Sequence, residues 1–479
     1  MGRKGKSSKA ALDKLNQKLD ELSNTRDVLL SRLLEVDKNI ALTRSKHAEI
    51  SASSNNQPPI SILPTEILVE ILETCYSNLP EESRFYFPVY ASLVSKEWRN
   101  IVQDTPSLWR TIEATPSHLN RLANYVQKCG GQGLEISFTA EVLDGELRAT
   151  TALAMLMSKI DNWRDVTFSL DAPIARIVVP KLRGVSAPCL ETLCFCHSDD
   201  ITDHFVNLPL DMNAPRLSTM RVSQPPIDWG SNLYWELTSL RIDSCWNSTF
   251  IPLTIDDLCR SLRNCAPKLR ELAVQLPVRN THVGPVEVIE LPELRSLEIS
   301  ESISVIKPTD SHAIFYTLAT PAVEILSLAD LGPYAWLVFI RSLMLDQIRY
   351  TNVMKLKLKS IPIHGNVRGY SHMERDSGGI GDNFIGAFPA LRQLECSGDT
   401  DAACILRTLI KHLRLGHCSW PDLECLSVDR CDIPVLLTFV RTRAEHKKPV
   451  LVVRLPHHLS NEPLEAIEEY ARVEYYNDP

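Results

Sequence analysis

Cysteine and histidine have the widest chemical reach in this chain, thirteen of each, and their spacing decides what they could do. Cys189, Cys194, Cys196 and His197 crowd into one short stretch. Thiolate and imidazole are the ligands of structural zinc, so a metal centre is the first chemistry to weigh. The spacing argues against it. Cys194 and Cys196 flank Phe195 on one expected strand, and no second ligand pair lies at a suitable interval. Small, half-buried thiols fit better, and the same holds for His417, Cys418, Cys425 and Cys431. His457 and His458 follow the last expected strand and read as a turn. The chain contains no C-x-x-C, H-E-x-x-H, G-x-S-x-G or Walker-type pattern, and Gly378, Gly379 and Gly381 lack the spacing of a dinucleotide loop. No catalytic residue, metal ligand or cofactor is assigned, and the expectation is a non-enzymatic protein.

Bulk properties narrow the class further. With 479 residues, 44% of them hydrophobic and 23% charged, the chain reads as a soluble globular protein of two or more folding units. Its net charge of −8 argues against wholesale nucleic-acid binding, which depends on basic charge. No apolar run is long enough to span a bilayer, and the basic start lacks the apolar core of a signal peptide. An odd number of cysteines, scattered without a tight framework, suits free thiols in a reducing compartment, so cytoplasm or nucleus is expected.

Four kinds of element would have to position any functional surface. Residues 8–50 carry a heptad pattern with Leu12, Leu19, Arg26, Leu33, Ile40 and His47 at a, and Leu15, Leu22, Leu29, Val36, Thr43 and Ile50 at d. A 3.5-residue apolar period predicts a coiled-coil helix that pairs with a partner, a second copy being one candidate. The other reading is a solvated helix whose Leu stripe folds back on the body. Residues 51–59, small and polar with two closing prolines, make a linker. Residues 60–112 read as a compact helical module.

From Trp163 a hexamer of the form apolar-x-x-apolar-x-apolar recurs, beginning at Trp163, Leu190, Leu217, Leu237, Leu269, Leu294, Val323, Val353, Leu391 and Leu423. The alternating apolar pair predicts a short half-buried strand, and helical stretches such as 255–265 lie between them. Irregular repetition with this strand pattern predicts a leucine-rich-repeat-like strand–helix solenoid over residues 113–458. The Asn or Cys that usually follows such a strand is mostly missing, with Asp243 and Asp429 as candidates for its role. Residues 364–383 form a Gly-rich polar insertion, 449–456 a last strand, and 459–479 a capping helix and tail. The fold class expected is α/β, with an all-α module and a long helix ahead of the repeats.

The module at 60–112 holds the most specific constellation. Leu63, Pro64 and Glu66 open a helix: proline suits the first turn and the carboxylate suits its positive end. Leu63, Ile67, Ile71 and Cys75 step by four, with Leu68 and Leu72 beside them, a stripe wider than one contact requires. Val94, Trp98, Ile101 and Val102 form a second stripe, and Asp104, Pro106, Leu108 and Trp109 close the segment. A unit this small normally leans on a partner.

These features in combination resemble the F-box motif, with Ser95 at the position often held by Cys in that family. Residues 85–88 and their flanks lengthen the link between its first helices. Together with the heptad helix and irregular repeats, the chain resembles the F-box families expanded in mushroom-forming fungi. The resemblance implies a non-catalytic adaptor that binds a Skp-type partner and thereby a cullin–RING ubiquitin ligase. It implies adaptor contacts at Leu63, Pro64, Ile67, Leu68, Ile71, Leu72, Val94, Trp98 and Trp109, where core and interface roles are not separable from sequence. Protein cargo would then bind the open face of the repeats, where Arg221 and Arg241, Glu271 and Glu298, and Lys355 and Lys357 supply alternating charge. The alternative is a scaffold outside any ligase, assembled through the N-terminal helix.

Overall fold

The computed structural model describes residues 4–53, 60, 63–131, 133–197, 211–223, 236–243, 254–276, 288–301, 314–345, 350–361, 363, 380–400, 402–417, 419–448, 451–457 and 465–476. The chain divides into two compact units, Met1–Ile112 with Ala123–Gln132, and Glu113–Leu122 with Gly133–Pro479.

The first unit is helical: α1 (Lys4–Ser53), α2 (Thr65–Asn78), α3 (Glu81–Arg84), α4 (Phe87–Ala91) and α5 (Lys96–Gln103), with the later part of α6 (Leu119–Lys128). The helix expected over 8–50 extends a few residues at each end, and residues 54–59 of the expected linker lie outside the described residues. Along α1 the a and d side chains Leu19, Leu22, Leu29, Leu33, Val36 and Ile40 all stand exposed. At these positions the apolar stripe does not fold back onto the chain.

The second unit is built on a 14-stranded sheet whose strands lie side by side in chain order. They are β1 (Thr111–Ala114), β2 (Leu134–Ala140), β3 (Trp163–Leu170), β4 (Thr192–His197), β5 (Thr219–Ser223), β6 (Ser239–Asp243) and β7 (Glu271–Leu276). Then follow β8 (Ser296–Glu301), β9 (Ile325–Ala329), β10 (Lys355–Lys359), β11 (Gln393–Ser397), β12 (Cys425–Val428), β13 (Leu451–Pro456) and β14 (Ala471–Tyr476). Every pairing from β2 to β14 is parallel. Two short parallel pairs, Val185–Ser186 with Met212–Asn213 and Ile289–Glu290 with Leu318–Ala319, form separate two-stranded sheets among the described residues.

Register explains why one hexamer repeated so often makes one sheet. Leu193, Met220, Leu240, Leu272, Leu297, Leu326, Leu356, Leu394 and Leu426 align across consecutive strands, and all are buried. The first apolar residue of each hexamer, two positions before most of the strands, is buried too. Burying each such side chain is worth roughly 1.5–3 kcal/mol. A parallel sheet is ordinarily covered on both faces. Here the intervening residues stay half-exposed, so one face is apolar and the other carries polar side chains.

Turns after the strands are tied by recurrent backbone devices. Asp330, Ser360 and Gly398 directly follow β9, β10 and β11, and all adopt positive φ. The N–H of Asp330 donates to the Lys359 carbonyl (2.7 Å) and that of Ser360 to the Ser397 carbonyl (3.0 Å). Carboxylates cap other loop amides: Asp171 accepts from Val142 (2.8 Å), Glu301 from Gly332 (2.7 Å) and Asp429 from Gly398 (2.8 Å). Asp429 thus caps a backbone amide, not a carbonyl. Asp243 instead engages arginine side chains.

The sheet begins ahead of the first hexamer, within the span expected for the repeats: Leu134, Ile136 and Phe138 are buried on β2, in register with Trp163, Val166 and Phe168 of β3. One expectation is corrected. The capping helix expected within 459–479 is only the single turn Glu465–Glu468, and the chain closes on β14. Val473 and the two tyrosines at 475 and 476 are strand formers, and pairing with β13 overrides the helix-like acidic run before them. Of the Gly-rich insertion, 364–379 lie outside the described residues, and Ile380–Gly386 is helical.

Gly398 combines a φ of +62° with an approach in which an added Cβ would meet Ser360 Oγ at 2.5 Å. Gly398→Ala should therefore lower stability by about 1–3 kcal/mol in urea unfolding. Gly386→Ala, on a helix and with nothing within 4 Å, should be neutral or slightly stabilising. Equal effects would contradict the turn assignment.

Candidate functional site

Helix α2 follows Pro64, whose missing N–H costs nothing at a helix start. Its apolar residues divide into two parallel series one residue apart. Leu68, Leu72 and Tyr76 are 1%, 2% and 2% exposed and face the interior of the module. Ile67 and Ile71 are 42% and 36% exposed, and Cys75 is exposed as well. The stripe that is too wide for one contact is thus two stripes, one filled by the chain and one left open. Leu63 is half-buried and Pro64 exposed at its start.

The interior series is anchored by polar contacts. Tyr76 Oη hydrogen-bonds Thr111 Oγ1, and Ser107 Oγ donates to Glu73. The Arg110 guanidinium sits 5.1 Å from the Tyr76 ring centre. Helix α5 is capped by Ser95, whose Oγ accepts the Trp98 N–H at 3.1 Å. That cap fixes Trp98, half-buried, and leaves Val94 exposed just before it. Ile101 and Val102 turn inward. Trp109 is buried, and its Nε1–H donates to the Val102 carbonyl at 2.7 Å.

The extra segment between the first helices is packed rather than loose. Phe85 is buried with its ring 4.7 Å from that of Tyr125, and Tyr125 Oη donates to the Phe85 carbonyl at 2.6 Å. Tyr125 also meets Trp109 edge-on at 4.9 Å, and the Lys128 ammonium lies 4.3 Å from the Trp109 ring centre. Sequence reasoning ended this module at residue 112 and missed Tyr125. Its signal was weak, an aromatic on the next helix with no motif around it. Tyr86, Val89, Tyr90 and Leu93 are exposed as well, with the two tyrosine rings stacked at 6.3 Å.

Residues 60–114 match the F-box-like family model. The chain carries an F-box-like domain, a protein–protein interaction module of the kind that binds Skp-type adaptors. No curated protein matches the chain. Of the nine residues singled out on this domain, Leu63, Pro64, Ile67, Ile71, Val94 and Trp98 retain exposed surface, whereas Leu68, Leu72 and Trp109 are buried and hold the F-box-like domain together.

The second candidate surface is the polar face of the large sheet, and all six charged residues singled out there lie on it in aligned rows. Arg221 and Arg241 are register neighbours, and Asp243 bridges them at 2.8 and 3.0 Å. Arg241 also reaches Glu298 at 3.3 Å, two strands away, across the small side chain of Ala273. Glu271 accepts from Ser239 Oγ at 3.0 Å. Lys355 lies 3.6 Å from Glu395, and Lys357 is the register neighbour of Glu395. The charge blocks expected from sequence are therefore largely paired on the surface. Cys194 and Cys196 sit on this face too, in register with Thr167 and Ser169 of β3. Among the described residues no group of three or more His, Cys, Asp or Glu is placed to hold a metal ion.

The two series on α2 should separate in unfolding experiments. Leu72→Ala should cost about 2–5 kcal/mol through the cavity it leaves. Ile67→Ala, on the open side, should cost under about 1 kcal/mol. Urea unfolding followed by circular dichroism checks both.

Proposed function

We propose that this protein is the substrate-recognition subunit of a Skp–cullin–RING ubiquitin ligase, a non-catalytic adaptor that docks through its F-box-like domain. The observation that carries this reading is the open apolar series on α2. A helix laid into a partner's groove is anchored by a few side chains that lose all their water on binding. Ile67 and Ile71, flanked by Leu63 and Pro64, offer that series, and Val94 and Trp98 on the neighbouring helical segment add to it.

The second unit is read as an irregular leucine-rich-repeat-like solenoid that binds protein cargo on its polar face. Its support is the hexamer-by-hexamer coincidence of sequence repeat and strand, with polar residues in rows between the buried ones. Solvated ion pairs such as Lys355 with Glu395 contribute little, about 0–1 kcal/mol, so exchanging one partner for a cargo group costs little. The pattern of cysteines favours a reducing compartment, cytoplasm or nucleus.

The heptad helix is read as a self-association element, working with the adaptor role rather than replacing it. A parallel, in-register pair sets Arg32 at g against Asp37 at e of the second copy, an attractive contact. An antiparallel pair would bring the g column, Lys18, Arg32 and Lys46, against itself. Parallel pairing is thereby favoured, and the exposed Leu19, Leu22, Leu29, Leu33, Val36 and Ile40 supply the seam.

Two measurements test this. Ile67→Asp with Ile71→Asp should abolish co-purification of a Skp-type adaptor and of cullin while far-ultraviolet circular dichroism stays unchanged. Retained capture would overturn the docking assignment. Deleting residues 1–53 should halve the mass found by light scattering and leave adaptor capture intact. An unchanged mass would remove the self-association reading, and lost capture would move the docking surface to α1.

A further inference from the structure

Cys194 and Cys196 alternate with the buried Phe195 on β4, so both thiols emerge on the polar face of the sheet, half-exposed, with their sulfurs 3.4 Å apart. The strands on either side supply what a thiolate needs. From β3, Thr167 and Ser169 stand in register with the two cysteines. On β5, Arg221 is the register neighbour of Cys194. Ser223, two residues further along the same face, donates to Asp243 at 3.4 Å. Asp243 on β6 holds the Arg221 guanidinium over this part of the face at 2.8 Å.

Electrostatically the two thiols are unlike. Cys196 is lowered to about 6, chiefly by the hydrogen bond from Cys194, with Ser223 and Arg221 adding and burial opposing. Cys194 is raised, first by holding its proton in that same bond and then by burial. The shared bond thus favours a thiolate on Cys196 and a thiol on Cys194. Oxidation-sensing cysteines combine a low pKa, access to solvent and a second cysteine close enough to resolve the first product.

We propose that Cys194 and Cys196 form a hydroperoxide-reactive dithiol on the polar face of the sheet, with Cys196 the attacking sulfur and Cys194 the resolving one. In the first step the Cys196 thiolate attacks one oxygen of hydrogen peroxide. A sulfur–oxygen bond forms, the oxygen–oxygen bond breaks, and hydroxide leaves and takes up a proton. Sulfur is oxidised by two electrons and the peroxide reduced. In the second step Cys194 sulfur attacks the sulfenic sulfur of Cys196. A sulfur–sulfur bond forms, the sulfur–oxygen bond breaks, and the Cys194 proton leaves with the oxygen as water. The sum is two thiols and one peroxide giving one disulfide and two waters.

Alternate residues of a strand have Cα atoms about 6.4–6.8 Å apart. That lies at the long end of what a disulfide bridges, so the bond is strained and readily reduced, as suits a reversible modification. Closing it removes the thiolate beside Arg221 and Ser223 and pulls on the strand between them. The inference is independent of how the F-box-like domain is used.

The test uses the full-length protein, exposed to hydrogen peroxide, alkylated and digested with trypsin. The peptide 184–216 should then carry a single alkyl group, on Cys189, and be two hydrogens lighter than the same singly alkylated peptide with both other thiols free; fragmentation should show the 194–196 bond, and dithiothreitol should reverse the change. Dimedone should label Cys196 in Cys194→Ser, where no resolving thiol remains, and neither Cys194→Ser nor Cys196→Ser should form the disulfide. Both variants exchange one small side chain for another, and circular dichroism verifies their folding. Two alkylated thiols at 194 and 196 after peroxide, a sulfenic acid that persists in the wild type, or no dimedone adduct on Cys196 in Cys194→Ser would each overturn the proposal.

Discussion

Residues four apart on a helix share a face, and in α2 two such series run side by side at one-residue offset. Leu68, Leu72 and Tyr76 satisfy the module's own core. Once they are committed inward, helical geometry obliges Ile67 and Ile71 to lie toward its edge and into solvent. The polar contacts of Tyr76 with Thr111 and of Glu73 with Ser107 lock that rotation. Trp109 and Tyr125 then close the opposite side of the core, so the module cannot turn to cover its open stripe without losing buried aromatic contacts. An isolated helical unit gains nothing from exposed isoleucines at these positions; a unit that docks does.

The large sheet solves a different problem with equal economy. One hexamer commits its first, fourth and sixth residues to the interior and leaves the third and fifth free to vary. In-register parallel pairing stacks those free positions into continuous polar rows. Stability and surface chemistry are therefore carried by different residues of the same strand, which lets the face diverge while the core persists. The paired charges and the Cys194–Cys196 dithiol both arise from this separation.

Much of this was legible in the sequence where side-chain period and element coincide. Each of the ten hexamers found by alternation overlaps a strand of the sheet, and the helix start at Pro64 follows from local chemistry. What stayed hidden depends on tertiary context. The L-x-I-x-F alternation of β2 lacks the leading apolar residue of the hexamer, so its membership shows only through pairing with β3. β14 follows an acidic run that favours helix until the edge of β13 claims it. Tyr125 belongs to the F-box-like unit through a hydrogen bond that spans forty residues, which no local pattern announces. The division of the α2 stripe into an inner and an outer half needed coordinates, because both halves are equally apolar. The pairing of Arg221 and Arg241 through Asp243 was likewise invisible, since a carboxylate at a strand end reads equally well as a backbone cap.

The most direct measurement is hydrogen–deuterium exchange of the full-length protein with and without a purified Skp-type adaptor. The account predicts slowed exchange confined to the segments 63–78 and 89–103, with the strands of the large sheet unchanged. Exchange unaltered throughout residues 60–114, with an adaptor that engages another F-box protein in the same buffer, would contradict it.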